Sequence, residues 1–592
     1  MLLFFPVLIK LLTPNTLNIV TNHLVAIFLI IALTVILALE ISTYWFMQEY
    51  NGRPNQIFFQ YLGHPMEIFG TVWEHFKIPL IVAVILLGIV VKTLWRYGRI
   101  FLQLEEEWSW RKRLIILPIV IFLLTLGARS GFNKAAPNIS LAAYTNNYTT
   151  NQIALNSSYS LAYAVYRYYE NISEVDKLYG DMRDEEVLQR IKKYNPISGK
   201  DYIEAARPTL RKQSPRHSAP RNLVIIIAES LGSDFVGRQG GIGVTPHFDE
   251  LSRQGLFLNR LYATGTRTYR GFEAIVAGFP PSSHDSTASK LDLAQTNFFT
   301  IGALLKQHGY DTSFFYGGEA HFDNMASFIL GNGFDTLYDH DDYPEAQFKG
   351  VWGIADEDVF AKANTVFKSQ KKPFASVILT LSNHSPFDFP EGRITAHTQP
   401  VAHPHNSAKY ADYALGKFFE TAIKEAYFKQ TVFLIVGDHP LRMKSGGLVP
   451  VSEFRVPALF LGPGVPVRIY DKLASQIDLL PTLIPFLGID AVQPMIGNDL
   501  VSLPTKFKGR AIMNYYDNMA FIYGDKVSIY TPHNPVKQFQ WDYESLREID
   551  TDPELARDGL AHILFPGLAY REAYYAYPNP GASTGLRKVG KR

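Results

Sequence analysis

Cysteine is missing from all 592 residues. Its absence excludes thiol nucleophiles, cysteine metal sites and any disulfide framework. A domain of this chain lying outside the cytoplasm must therefore be held by its apolar core alone, which roughly 400 residues are enough to build. The chain also lacks a charge bias: 57 Lys and Arg stand against 55 Asp and Glu, a formal net charge of +2. Nothing in that balance calls for nucleic acid as a partner, so none is expected. Disorder is excluded by an apolar content of 47% against 19% charged residues. After the first quarter of the chain, no apolar run is long enough to cross a bilayer.

The first quarter is different. "LVAIFLIIALTVILALEI" (24 to 41) and "IPLIVAVILLGIVV" (78 to 91) have the length of membrane helices once their flanks are added, and "LIILPIVIFLLTLGA" (114 to 128) is a shorter third run. The opening "MLLFFPVLIKLL" fits a signal core, an interfacial helix or the remainder of a span, and is taken as a span. Residues 1–130 are thus expected to be a transmembrane region of three to four spans. Arg96, Arg99, Arg111, Lys112 and Arg113 crowd one loop, whereas the loop from Met47 to Lys77 carries Glu49, Glu67 and Glu74. The basic loop is assigned to the cytoplasm, which puts everything after about Gly131 on the outer side of a cell inner (plasma) membrane.

Residues 131–220 turn polar, pass through helical spacing and end in "RPTLRKQSPRHSAPR", the pattern of a helical linker outside the membrane. The Asn-x-Ser/Thr triplets within it are read as polar linker. From residue 221 to 592 short apolar runs alternate with helical stretches: "NLVIIIAES", "TSFFYGG", "FASVILTLSNH", "QTVFLIVGDH" and "RVPALFLGPG". Strands apolar on both faces and separated by helices imply an α/β fold, a mostly parallel sheet covered by helices on both faces. Chemistry in such sheets sits beyond the carboxyl ends of the strands. Those ends carry Glu229, Asn383, His384, Asp438 and His439. Carboxylates with an imidazole make a hard ligand set for a divalent cation, and adjacent ionisable groups at a buried strand end are costly unless something charged lies between them.

"TPHFDELSRQGLFLNRLYATGTRTYRGFEAIVAG", "LTLSNHSPF", "VGDHP" and "SQIDLLPTLIPFLGI" follow "NLVIIIAES" in order. This series resembles the alkaline phosphatase and sulfatase superfamily, and within it the lipoteichoic acid synthase and phosphoglycerol transferase branch. The resemblance implies one divalent metal, manganese with zinc or magnesium as alternatives, held by Glu229, Asp438, His439 and the hydroxyl of Thr268. It makes Thr268 the nucleophile, just ahead of a helix expected from Gly271 to Gly278, with Arg267 and Arg270 near enough in sequence to offset phosphoryl charge. A threonine hydroxyl is too weak an acid to attack unaided, and a cation beside it supplies what it lacks. His384 matches a position that contacts the phosphate or protonates the leaving group.

Substrate contacts in that branch use a His, a Trp and an Arg where Tyr316, Asp323 and Met325 stand in "FYGGEAHFDNM", a stretch resembling Gram-negative members instead. Tyr316, His321, Asp323 and Asn324 are the pocket candidates there, with Arg267 beside the phosphate and Trp352 of "VWGIADEDVF" as a wall. "TYRGF" is not the Cys/Ser-x-Pro-x-Arg setting of sulfatases, so sulfate ester hydrolysis is not expected. The resemblance implies a phosphoglycerol-type transfer from a membrane phospholipid, by way of Thr268, to a hydroxyl on a glycan or glycolipid. The alternatives are a phosphoethanolamine transferase, whose outer domains commonly carry disulfides, a related phosphodiester hydrolase, and a catalytically silent envelope sensor.

Overall fold

The computed structural model describes residues 4–50, 53–54, 58, 73, 77–102, 109–129, 152–168, 176–196, 201–204, 206–282, 294, 297–320, 322–441, 443 and 446–577. The chain forms two compact units, Met1–Tyr169 and Glu170–Arg592. The second therefore begins inside the segment expected as a linker. Residues 131–151 of that segment, and His321, lie outside the described residues.

In the first unit the helices Asn18–Tyr50 and Lys77–Leu102 contain stretches, Ile19–Gln48 and Lys77–Gly98, long and apolar enough to cross a membrane. Their side chains Leu24, Ile31, Ile78 and Val84 are exposed rather than gathered into a core, unlike the core helices of a globular domain. The third run is a continuous helix, Trp110–Arg129, carrying Arg111, Lys112 and Arg113 in its first turn and Pro118 inside. The described helix Phe4–Leu12 covers about 14 Å, roughly half a hydrocarbon core. Length and composition thus support two spans among the described residues, against three to four expected.

The second unit is built on a nine-stranded sheet. A short ribbon precedes it, in which β1 (Arg211–Gln213) pairs antiparallel with Ala491–Gln493. The main strands are β2 (Asn222–Ala228), β3 (Leu256–Tyr262), β4 (Asp311–Tyr316), β5 (Thr336–Tyr338), β6 (Phe374–Leu379), β7 (Thr431–Gly437), β8 (Arg455–Leu461), β9 (Arg468–Tyr470) and β10 (Ala474–Ser475). Their order is β10-β3-β8-β7-β2-β6-β4-β5, with β9 also on β3. All pairings are parallel except those of β8, which runs antiparallel to β3 and β7.

Strand β2 is central because Val224, Ile225, Ile226 and Ile227 are all at most 1% exposed, each adding about 1.5–3 kcal/mol of burial. On one face Val224 and Ile226 join Phe360, Phe367, Leu415 and Phe418 from the helices Asp356–Ser369 and Pro404–Ala422. On the other, the helix Thr268–Ala277, buried from Tyr269 to Ala277, sets Phe272 edge-on against Phe314 of β4. The last segment adds an antiparallel sheet over residues 510–549 and the helix Pro553–Arg571. From β2 the chain first crosses to β3 on one side and later returns to β4 on the other, so β2 with its neighbours β6 and β7 is a switch point.

Candidate active site

Register fixes the site before any side chain is considered. Ala228 lies opposite Gly437 and Ile227 opposite Leu379, so the residues that follow, Glu229, Asp438 and Thr380, leave the sheet at one level. Glu229, Asp438 and His439 are 4%, 0% and 6% exposed, and their ligand atoms lie within 4.8 Å of one another. His439 Nε2 is 3.7 Å from Glu229 Oε1 and 3.5 Å from Asp438 Oδ2. The Pro440 carbonyl accepts from His439 Nδ1 at 2.9 Å, which leaves Nε2 bare towards the carboxylates.

Thr268 joins them from the other side. The helix begins at Thr268, three residues earlier than its expected start, and ends at Gly278 in the left-handed conformation that glycine tolerates. Thr268 Oγ1 lies 3.2 Å from Glu229 Oε2 and 3.4 Å from His439 Nε2. As the first residue of the helix it stands at the positive end of the helix dipole. Gly271, one turn on, lets the helix approach: a Cβ there would stand 2.4 Å from the Asp438 carbonyl.

Sequence reasoning placed Asn383 at a strand end without a role and missed Gln476 and Asp356, which with Asn383 and Ser230 hold this arrangement. Ser230 adopts a left-handed backbone, φ 52°, which costs a non-glycine residue about 1 kcal/mol. That conformation lets Ser230 N donate to Asp438 Oδ1 (2.8 Å) while its hydroxyl donates to Glu229 Oε1 (2.7 Å). Asn383 Nδ2 donates to the carbonyls of Glu229 (3.2 Å) and Ser230 (3.3 Å), and Gln476 Nε2 to those of Gly437 (2.9 Å) and Asp438 (2.7 Å). Asp356, fully buried, accepts from Leu381 N (2.8 Å) and Ser382 N (3.2 Å) through one oxygen and so fixes the loop bearing Asn383 and His384. A left-handed serine and a long-range amide have no signature in sequence spacing.

The electrostatics are those of a site short of positive charge. Burial, then the Asp438 charge, pushes the Glu229 carboxyl up, with His439 and His384 opposing. Burial pushes Asp438 up to about 7 against hydrogen bonds from the Ser230 and His439 N–H groups. Burial likewise pushes His384 and His439 below the usual imidazole range. Asp438 Oδ2 is buried with no hydrogen-bond partner among the described residues. An orphaned carboxylate oxygen, a second buried carboxylate, a bare imidazole nitrogen and a hydroxyl converging on one point fit a divalent cation.

The substrate candidates divide. His384 is half-buried; the Ser385 carbonyl accepts from its Nδ1 at 2.7 Å, turning Nε2 free, and its ring lies 4.2 Å from that of Trp352. Arg267 caps the helix at Thr268, and its charge is felt at both His384 and His439. Tyr316 ends β4 buried, its hydroxyl pushed up by burial and by the charges of Glu229, Asp323 and Glu319. Asp323 sits in a short helical turn with φ 50°, and Asn324 follows it, its side chain lying outside what is described. Arg270, expected in sequence beside the phosphate, is brought elsewhere: it is 1% exposed and pairs with Glu273 and Ser282, both at 3.1 Å.

Comparison with known proteins adds family. The family profile described as Sulfatase matches residues 221–489. Lipoteichoic acid synthase 2 of Bacillus subtilis is 25% identical over 312 residues, 48% of this chain and 47% of that protein. Phosphoglycerol transferase I of Xanthomonas euvesicatoria is 23% identical over 321 residues, 50% and 44%. The chain thus spans about half the length of these curated relatives. Among solved structures, a protein in the alkaline phosphatase superfamily from Vibrio parahaemolyticus is 38% identical with a TM-score of 0.66, covering 68% of this chain and 100% of that one. The lipoteichoic acid synthase LtaP from Listeria monocytogenes shares the fold: 18% identity, TM-score 0.54, coverage 66% and 98%.

Proposed function

The chain belongs to the alkaline phosphatase superfamily, and from its similarity to lipoteichoic acid synthases and phosphoglycerol transferases we propose that it is a membrane-bound, metal-dependent transferase. It moves a phosphoglycerol-type group from a membrane phospholipid, through a covalent adduct on Thr268, to a hydroxyl of a glycan or glycolipid. The observation that carries this reading is the convergence of the Thr268 hydroxyl on Glu229 and His439 at the start of a helix.

Glu229, Asp438, His439 and Thr268 would hold the cation, manganese before zinc or magnesium. When bound, it supplies positive charge that makes a hydroxyl more acidic and offsets phosphoryl charge. Thr268 Oγ1 bonds to phosphorus, giving its proton to water, and the bond from phosphorus to the diacylglycerol oxygen breaks. His384, which takes up a proton from water at Nε2 beside the negative charge of the bound phosphodiester, hands that proton to the departing oxygen as diacylglycerol leaves. In the second half the acceptor hydroxyl attacks phosphorus and His384 Nε2 takes its proton. The bond to Thr268 breaks, and water reprotonates the threonine. Arg267 offsets phosphate charge throughout.

The two apolar helices support a multi-pass protein of the plasma membrane, the basic loop before Arg113 cytoplasmic and the second unit on the outer face, where a lipid donor is within reach. The test uses full-length protein in vesicles of phosphatidylglycerol with Mn²⁺. Diacylglycerol release and a phosphoglycerol adduct on the Thr268 peptide, read by mass spectrometry, are expected, and Thr268→Ala abolishes both. Undiminished diacylglycerol release by that variant would sink the reading. An adduct formed from phosphatidylethanolamine instead moves the assignment to phosphoethanolamine transfer.

A further inference from the structure

Asn383 is where two parts of the candidate site meet. Its Nδ2 donates to the carbonyls of both Glu229 and Ser230, and the next residue in the chain is His384. A planar amide serves two carbonyls only with its nitrogen towards them, so its oxygen faces the other way. That oxygen is met by Ser407, whose hydroxyl donates to Asn383 Oδ1 at 2.7 Å, both side chains being buried. The Pro404 carbonyl stands farther from the same hydroxyl, at 3.1 Å, and a hydroxyl has one proton to give.

Ser407 is itself held firmly. It lies in the first turn of the helix Pro404–Ala422, whose Leu415 and Phe418 are packed in the core against β2. Its neighbour Asn406, fully buried, donates through Nδ2 to the carbonyls of Thr398 and Val401 and accepts through Oδ1 from His397 N and Thr398 N, so the start of the helix cannot turn without breaking these bonds. From the helix Asp356–Ser369, Asp356 accepts from Leu381 N and Ser382 N. Two helices thus hold three consecutive residues immediately before His384. On the other side of Asn383 stands Ser230, left-handed at φ 52° and holding Asp438 with its N–H and Glu229 with its hydroxyl. A strained backbone of that kind persists only while its surroundings over-determine it, and the Asn383 amide is one of those restraints.

Resting on the metal site and the role of His384 proposed above, we infer that Ser407 is a positioning residue. By orienting the Asn383 amide, it makes one side chain set both the carboxylate cradle, through Glu229 and Ser230, and the loop that carries His384. The Ser407 hydroxyl makes no hydrogen bond to Glu229, Thr268, Asp438 or His439 among the described residues, so its effect on them passes through Asn383.

The experiment is a cycle of Ser407→Ala, Asn383→Ala and the two together, made in full-length protein in detergent and titrated calorimetrically with Mn²⁺ in the absence of lipid donor. All titrations run below the unfolding midpoint of the least stable variant, so that lost affinity reports geometry and not lost fold. Each single substitution is expected to weaken Mn²⁺ binding about tenfold, the effect of removing a group that orients metal ligands from behind. The double variant is expected to bind no more weakly than Asn383→Ala, because the serine acts through the amide. Ser407→Thr, which keeps the hydroxyl, is expected to bind as the unaltered protein does. Unchanged affinity in Ser407→Ala, or losses that multiply in the double variant, overturns the inference, and an unaltered protein that binds no Mn²⁺ removes it together with the metal site. At saturating Mn²⁺, diacylglycerol release by Ser407→Ala is expected to stay at least about tenfold low, since His384 is displaced as well; full recovery overturns the part that concerns His384. Mn²⁺ binding that follows the cycle in a protein that releases no diacylglycerol removes the proposed transfer and leaves the link from Ser407 to the metal ligands standing.

Discussion

Asp438 concentrates the chemistry of the site into one side chain. One oxygen accepts from two backbone N–H groups, and the other, buried, accepts from none among the described residues. Burial raises the group to about 7, so in the metal-free protein it carries a proton through mildly acidic pH. A cation competes with that proton, and raising the pH through 7 must strengthen metal binding. Titration with Mn²⁺ at pH 6 and pH 8 is expected to give an affinity about tenfold lower at pH 6, with release of about one proton on binding there. Asp438→Asn should lose the proton release together with most of the affinity. Affinity independent of pH over this range would mean that Asp438 is already ionised without metal. Glu229, Asp438 and His439 were legible in the sequence because each ends or follows an apolar run, where a charge is expensive. The contacts of Ser230 and Gln476 to Asp438 were not, because they join residues more than 30 positions apart.

Among elements, the helix Thr268–Ala277 decides whether the threonine meets the ligands at all. It comes close to the end of β7 at Gly271, where a Cβ would stand 2.4 Å from the Asp438 carbonyl. Backbone cannot yield as a flexible side chain can, so Gly271→Ala must move the helix away from Asp438. On the function proposed above, a displacement near 1 Å at Thr268 is enough to cost about a hundredfold in rate. Adduct formation on Thr268 should fall by about that factor, while overpacking costs on the order of 1–3 kcal/mol in stability. Retention of the full rate would show that the helix start adjusts independently of its second turn. The sequence announced this helix through its apolar face but put its start at Gly271, because the polar "TRTYR" reads as loop until its hydroxyl finds Glu229. The buried strands were legible for the same reason as the ligands. The antiparallel sheet over residues 510–549 was not, since its turns and paired strands carry no motif of the chemistry.

Across the whole molecule, no cysteine links the chain, so packing and buried charge set stability, and the buried titratable groups of the candidate site couple them to pH. A carboxyl whose folded pKa exceeds its unfolded value, about 3.9 for Asp, holds its proton more tightly when folded. The stability it contributes is full below about pH 4 and is lost as the pH rises through 7, the level to which Asp438 is raised. The total is at most on the order of 4 kcal/mol, from a shift of about three units. Histidines work in the opposite sense. His384 and His439 are held low by burial and His562 is held down to about 3, first by burial and then by the Arg510 charge. Their contribution is full above the ordinary imidazole value and is lost as the pH falls. The unaltered protein's stability curve mixes both limbs between pH 4 and 7, so its shape alone decides nothing. Subtracting it from that of Asp438→Asn cancels the histidine limb to the extent that the substitution leaves their surroundings unchanged. In metal-free protein the variant should gain on the parent steadily from pH 5 to about 7 and then level off. Saturating Mn²⁺ should reverse the order at pH 8, since only the parent can then offset its buried carboxylates. A difference curve flat from pH 5 to 8, followed by thermal unfolding of both proteins, would place the excess proton on Glu229 rather than on Asp438.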